Sequence, residues 1–294
     1  MTTNARLRAL VELAESGSVR GAAERLVVTE SSVSSSVSAL SAEVGTPLVT
    51  RHGRGVRLTP AGERYAEYAS RILGLHAEAV VAARAQADPE HGAIRLAAVT
   101  TAGEFLIPDM LASFRAKHPG VVLQLEVAPR GLIWPMLARH EADLVVAGRP
   151  PDDLFSARVR AISPNALVVV GPPDERAGFD PARATWLLRE PASGMRATCA
   201  ALLERLDITP PQMTLGSNGA VIAAAAAGLG VTLASQQAVR RELDSGALVE
   251  LPVPGVPLDR PWHVVSQHDP TPSTQLLIEH VLGVPELGWR RPQS

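Results

Sequence analysis

Cysteine is almost missing from these 294 residues: Cys199 stands alone, so no disulfide can form within the chain. It sits in the apolar run A-T-C-A-A-L-L, where packing is the first reading and a nucleophile or redox sensor the alternative. No stretch of about 18 apolar residues occurs, and the first residues lack the basic-then-apolar pattern of a secretory signal. The expected location is the cytoplasm, with no membrane partner. Also missing are H-E-x-x-H, a Walker loop, C-x-x-C and any Ser-His-Asp arrangement, while the eight histidines are scattered without ligand spacing. These absences leave no metal or cofactor to expect and no catalytic residue to name.

Excess charge of one sign is lacking too, since a formal net charge of −2 argues against a general polyanion binder. The sum hides a division. Residues 1–87 hold ten Arg against eight Glu, and the remainder holds 18 basic residues against 22 acidic ones. Attraction to phosphate is local, screened within about 10 Å at ordinary salt, so the clustering of Arg51, Arg54 and Arg57 matters more than the total.

What is present centres on residues 18 to 44. Val19, Ala22, Ala23 and Leu26 recur at the spacing of one helical face, Leu26-Val27-Val28 interrupts it, and Thr29 then stands as an N-cap before a second helix. Val33, Val37, Leu40 and Val44 make that helix's apolar stripe. Its other face is serine: Ser31, Ser32, Ser34, Ser35, Ser38 and Ser41. Serine hydroxyls compete with the helical backbone, so keeping this many implies an outside use, and reading base edges in the major groove is such a use. A serine-rich linker is the alternative, but a linker has no reason to carry an apolar stripe in helical register.

Residues 4 to 16 read as a preceding helix stopped by Gly17. After Gly45, Pro47-Leu48-Val49 and Val56-Arg57-Leu58 read as the strands of a β-hairpin wing around Gly53-Arg54-Gly55. The three wing arginines can lie along the phosphate backbone, or they are solvated surface. Thr59-Pro60 opens a long helix to about Gln86, with Tyr65, Tyr68, Ile72, Leu75, Ala79 and Ala82 spaced as the seam of a two-stranded coiled coil.

On these residues the chain resembles the LysR-type transcriptional regulators: A-A-E-R-L-x-V-T-x-S-x-V-S, then L-x-x-E-V-G-x-P-L-V-x-R, then R-x-V-R-L-T-P-A-G. The match is close over the first eighty-odd residues and looser beyond. It implies an α/β protein with a winged helix-turn-helix head (1–59), a linker helix that pairs two chains (60–87) and a two-lobed regulatory region like periplasmic binding proteins (88–294). It further implies a tetramer built from such dimers, and RNA polymerase as a possible partner. The DNA-reading set is then Thr29, Glu30, Ser31, Ser32, Ser34, Ser35 and Ser38, with Arg51, Arg54 and Arg57 on phosphates. Many members carry Arg or Lys where this chain has Ser35, which puts its base preference in question.

From Ala93 the period changes to strands alternating with helices. Strand-like runs at 94–99, 121–127 and 143–147 flank helical stretches near 103–118 and 131–141, and Pro135 predicts that the latter is short, irregular or late to start. A second set follows: strands at 166–170, 185–188, 212–215, 230–234 and 247–251, and helices near 195–206, 218–227 and 236–244. Trp262 to Ser266 reads as a strand, 271–282 as a helix, and Trp289 onward as a tail. The resemblance places lobe I at 93–162 plus 267–294 and lobe II at 163–266, with the chain crossing near 162–166 and 263–268.

Ligands of open α/β sheets lie beyond the strands' carboxyl ends, beside helix N-termini. Thr100 and Thr101 in one lobe, Ser193, Gly194, Met195 and Arg196 in the other, and Arg130 in the loop after the second strand form an expected site for an anionic effector. Asn218 is a weaker candidate. Thr101 and Ser193 also read as plain helix caps, and both arginines as surface charges. The resemblance supports an effector role at Thr101. The competing functional class is an α/β enzyme or solute-binding protein with an incidental DNA-binding head.

Overall fold

The computed structural model describes residues 2–53, 55–152 and 157–292. They fall into two compact units, the first running to Ala87 and taking in Ala138–Glu141, the second holding Asp88–Leu137 and the residues from Ala142 on.

In the first unit three helices, α1 (Asn4–Ser16), α2 (Val19–Leu26) and α3 (Glu30–Val44), enclose Leu7, Leu10, Leu13, Ala22, Val37 and Leu40. Burying a leucine or valine side chain contributes about 1.5–3 kcal/mol, and this core sets the angle at which α3 stands. Gly17 and Gly45 end α1 and α3 in the left-handed conformation that a glycine adopts without strain. Val44, expected in the α3 stripe, is 39% exposed, because the apolar stripe drifts off the core at the helix's last turn.

The wing strands β1 (Val49–His52) and β2 (Gly55–Leu58) pair antiparallel. The first begins two residues later than expected, since Leu48 is pulled into the core and Pro47 is anchored by a hydrogen bond from the Thr59 hydroxyl to its carbonyl at 2.8 Å. Thr59 also accepts from the Gly62 N–H, opening α4 (Pro60–Ala87), whose 28 residues span roughly 42 Å. Gly62 is the one residue type that fits there: a Cβ would collide with the Leu48 carbonyl.

In the second unit, lobe I is a five-stranded sheet in the order β4-β3-β5-β13-β6, made from β3 (Ala93–Ala98), β4 (Val122–Val127), β5 (Leu144–Ala147), β6 (Ala157–Ser163) and β13 (Trp262–Gln267). The first three run parallel, and β13 joins antiparallel between β5 and β6. Side chains alternate across the sheet: Ile94, Leu96 and Ala98 enter a core with α6 (Ile107–Lys117) and α11 (Pro272–Gly283), while Ala97 faces α7 (Arg130–Ala138). The helix expected at 103–118 is two pieces, α5 (Thr100–Phe105) and α6, broken at Leu106 before Pro108. Pro135 lies inside α7, which starts at Arg130 rather than late, but is short, with nine residues.

Lobe II is built on β7 (Ala166–Gly171), which pairs antiparallel with β10 (Thr232–Ser235), β11 (Val249–Glu250) and β12 (Leu258–Asp259). The parallel pair β8 (Trp186–Leu188) and β9 (Gln212–Thr214) joins through Val231, with α8 (Gly194–Arg205), α9 (Asn218–Ala226) and α10 (Arg240–Ser245) around them. The α10 helix starts later than the expected 236, because residues 236–239 form a turn.

The chain crosses between lobes at residues 163–166 and 259–262. The first crossing matches expectation; the second does not. Leu258 and Asp259 still pair with lobe II, whereas Trp262 to Ser266, assigned above to lobe II, lies in the lobe I sheet. An apolar strand carries no mark of which sheet it will join. The crossings are tied together: Asn165 donates to the Arg260 carbonyl at 2.9 Å and the Arg260 N–H to the Asn165 carbonyl at 2.8 Å. The expected tail is not loose either, as Trp289 is buried and Arg290 bridges to Ile162.

Candidate functional site

The exposed face of α3 carries Glu30, Ser31, Ser32, Ser34, Ser35 and Ser38, opposite buried Val33, Val37 and Leu40. Their hydroxyls are not equally free. Thr29 accepts from the Ser32 N–H as N-cap, and its Oγ1 lies 2.9 Å from Ser31 Oγ and 2.8 Å from Ser32 Oγ. Ser35 donates back to the Ser32 carbonyl at 3.0 Å, and Ser41 accepts from the Leu48 N–H. Much of the serine content therefore does local work. Ser34 and Ser38 are exposed and make no hydrogen bond within the described residues, which leaves their hydroxyls available to an outside partner.

The wing arginines do not form one patch. Thr50 faces Arg57 and Arg51 faces Val56, so Arg51 and Arg57 project from opposite faces of the hairpin; Arg54 lies outside the described residues. A cation that sequence reasoning missed stands nearer α3. Arg20, at the start of α2, pairs with Glu24 at 2.9 Å and lies close enough to Glu30 that both carboxylates raise its pKa. Its signal was available: it sits in the first turn of the helix that precedes the recognition helix.

Between the lobes of the second unit lies a cavity of about 980 Å³. Thr100, Thr101, Arg130, Ser193, Gly194 and Met195 all line it. Ser193 makes no capping bond to α8, so its hydroxyl is uncommitted, while α5 is only six residues long, leaving Thr100 and Thr101 to act through hydroxyls rather than a helix dipole. Arg130 donates to the Arg149 carbonyl at 2.6 Å and lies over the Trp134 ring at 5.5 Å.

Arg196 and Asn218 do not line this cavity. Arg196 is tied within lobe II by one guanidinium nitrogen, which donates to the Arg189 carbonyl at 2.8 Å and to Thr214 Oγ1 at 3.0 Å. Asn218 is buried; it accepts from Arg189 and donates to Glu104 Oε2 at 2.8 Å, joining lobe II to α5 of lobe I. Both instead line a small adjoining pocket together with Thr101, Arg189 and Met195.

The cavity also gathers residues that sequence reasoning missed: Arg149, Arg189, Glu190, Arg260 and His263. Arg189, 6% exposed, grips Glu190 in a two-pronged ion pair at 2.7 and 2.9 Å and holds that carboxyl below the usual range. Arg149 follows β5 after a single glycine, a position the strand-end rule applied to Thr100 would have flagged. Arg260 sits in the misplaced crossing. Cys199 has no such chemistry: burial pushes its thiol up to about 12, so it stays protonated and packs. Among the described residues no cluster of His, Cys, Asp or Glu is placed to hold a metal, and no helix is long and apolar enough to cross a membrane.

Comparison with known proteins bears on both units. Residues 5–63 match the bacterial regulatory helix-turn-helix protein, lysR family, and residues 87–285 match the LysR substrate binding domain. The chain is 36% identical over 265 residues to the HTH-type transcriptional regulator CfxR of Cupriavidus necator, covering 88% of this chain and 83% of that one. It is 32% identical over 296 residues to a RuBisCO operon transcriptional regulator of Acidithiobacillus ferrooxidans, covering 97% and 95%. The Synechocystis CcmR regulatory domain, solved in complex with 2-PG, superposes with a TM-score of 0.56 at 28% identity, over 63% of this chain and 95% of that one.

Proposed function

The chain belongs to the LysR family of bacterial transcriptional regulators, and from that premise we propose how its parts divide the work. It is a DNA-binding regulator with an effector-binding domain, and the enzyme alternative falls away because its relatives are regulators. Residues 1–59 bind operator DNA, with Ser34 and Ser38 reading base edges, Thr29, Ser31, Ser32 and Ser35 holding the start of α3, and Arg20, Arg51, Arg54 and Arg57 on phosphates. Residues 60–87 pair two chains. Tyr68, Ile72 and Leu75 support that pairing, since each is half exposed along α4, a row of large side chains left open to a partner helix. A tetramer of such dimers, contact with RNA polymerase at the promoter, and a cytoplasmic location complete the reading.

Residues 88–294 bind a small anion between the lobes. The observation that carries this is the wall of the cavity, where Arg130, Arg149 and Arg260 stand beside Arg189; Glu190 is taken by Arg189 and Asp152 lies 3.7 Å from Arg149 in an exposed pair that an anion can displace, with Asp259 the further carboxylate. Thr100, Thr101 and Ser193 add hydroxyls. To change promoter activity the anion must bind one arrangement of the lobes better than another.

The test is a mobility shift of the full chain on its own upstream DNA against a random duplex, with and without 2-PG, the ligand of the CcmR domain, as first probe. Specific retention that an anion alters supports the reading. Retention that no small carboxylate or phosphate alters, with no anion binding by calorimetry, removes the anionic effector. For the wall itself, Arg130→Ala with Arg149→Ala is expected to weaken anion binding by about 1.5–3 kcal/mol for each charged hydrogen bond removed.

A further inference from the structure

One polar side chain on the cavity wall is left unused by the anion reading. His263 on β13 lines the cavity, is 8% exposed, and its Nδ1 is buried with no hydrogen-bond partner. Burial, and after it Arg149 and Arg130, hold the imidazole's pKa below its ordinary value against an opposing pull from the Pro261 carbonyl. The ring is therefore neutral near pH 7, with one nitrogen a donor and the other an acceptor. His263 pairs across the sheet with Ala147, two residues before Arg149, whose carbonyl accepts from Arg130, so the three residues come from one corner of the cavity.

The division of labour follows from the chemistry. Guanidiniums balance charge and hold an anion; a neutral imidazole balances none, and what it offers is one donor and one acceptor. A hydroxyl both donates and accepts, so it satisfies either tautomer of the ring, whereas a carbonyl can only accept. A half-turn of the ring about χ2 exchanges Nδ1 with Cδ2 and Nε2 with Cε1, which moves the buried Nδ1 to the ring's other edge. An unpaired buried nitrogen is a cost that such a contact relieves.

We propose that His263 is a specificity residue of the effector site, reading a hydroxyl on the anion that Arg130 and Arg149 hold, so that the effector is a small hydroxylated carboxylate or phosphate. The proposal rests on the anion reading above and narrows it. It also separates His263 from Trp134 and Trp289, whose indole Nε1 atoms are likewise buried and unpaired but do not line the cavity.

The experiment is calorimetry on the full chain with two matched pairs, L-malate against succinate and 3-phosphoglycerate against 3-phosphooxypropionate. Each pair differs by one hydroxyl, and the two pairs distinguish carboxylate from phosphate. In at least one pair the hydroxylated anion is expected to bind on the order of tenfold tighter. The His263→Phe variant should erase that preference while leaving the deoxy anion's affinity within about threefold, and His263→Gln, which keeps a donor and an acceptor, should restore part of it. Thermal unfolding of the second unit, unchanged in midpoint within a few degrees, checks that both variants fold. Equal affinity within both pairs, or a preference that survives His263→Phe, overturns the proposal while leaving the anion site standing. Failure of all four compounds to bind overturns this inference, and the anion reading falls with it when 2-PG and the other small carboxylates and phosphates fail as well.

Discussion

In the head, the residues offered to DNA lie between Arg20 and Arg57, on two helices and one hairpin; in the lobes, the cavity wall is gathered from residues near 100, 130, 149, 190 and 260, brought together by strand order. The two regions also differ in how they use the same kinds of side chain. Hydroxyls on α3 divide into those that cap or back-bond the helix and those that stay free, Ser34 and Ser38 of the exposed face among them, a division made by local geometry. Of the lobe guanidiniums, Arg196 bonds within lobe II while Arg130, Arg149, Arg189 and Arg260 line the cavity, Arg189 paired there to Glu190, a division made by tertiary placement. Position in the chain locates a site of the first kind. For the second kind it does not.

That contrast can be broken most directly on α3. Replacing Ser34 and Ser38 together by Ala is expected to weaken binding to the correct site relative to random DNA by about 1–3 kcal/mol for each base edge no longer read. Thr29→Ala should instead destabilise the helix by about 0.5–2 kcal/mol, seen in thermal unfolding, and reduce both affinities together. If Thr29→Ala changes discrimination and the serine pair does not, the division between structural and reading hydroxyls is wrong.

A smaller effect separates positioning from reading. Arg57→Ala should weaken specific and random DNA alike and flatten the dependence of log affinity on log salt by about 0.9 for each phosphate no longer neutralised. An unchanged slope takes Arg57 out of the interface, an outcome the wing leaves open because Arg51 and Arg57 occupy its different faces.

The smallest effect tests the corner of the cavity through pH. Burial and the charges of Arg149 and Arg130 hold the His263 pKa below its ordinary 6.5. An anion seated on those arginines offsets their field and raises that pKa, so binding takes up a proton and affinity rises as pH falls from about 6.5 toward the free-state value. Calorimetry in two buffers of different ionisation enthalpy measures the uptake. It should vanish in His263→Phe, and uptake that persists there belongs to the ligand or to another group.

Much of the fold could be read from sequence because the signals were local. Caps and glycine stops bounded α1, α3 and α4 within a residue or so, and the change from helical to strand period placed β3, β7 and β8. The errors share a cause. Assigning Trp262 to Ser266 to lobe II and treating Trp289 as tail both required knowing which distant segment would arrive alongside.

By itself, then, the sequence determined the elements, their caps, the head with its hydroxyl-bearing recognition helix, and membership of a regulator family, because periodicity, capping and motif spacing act within a few turns of chain. Only the tertiary structure decided that Arg149, Arg260 and His263 share a cavity, that Asn218 reaches Glu104 of the other lobe, and that Trp262 to Ser266 joins the lobe I sheet. Those outcomes depend on sheet order and strand register, settled by packing between distant segments such as β6 and β13, where Arg160 meets Ser266 across 106 positions of sequence. No short window of sequence contains both partners.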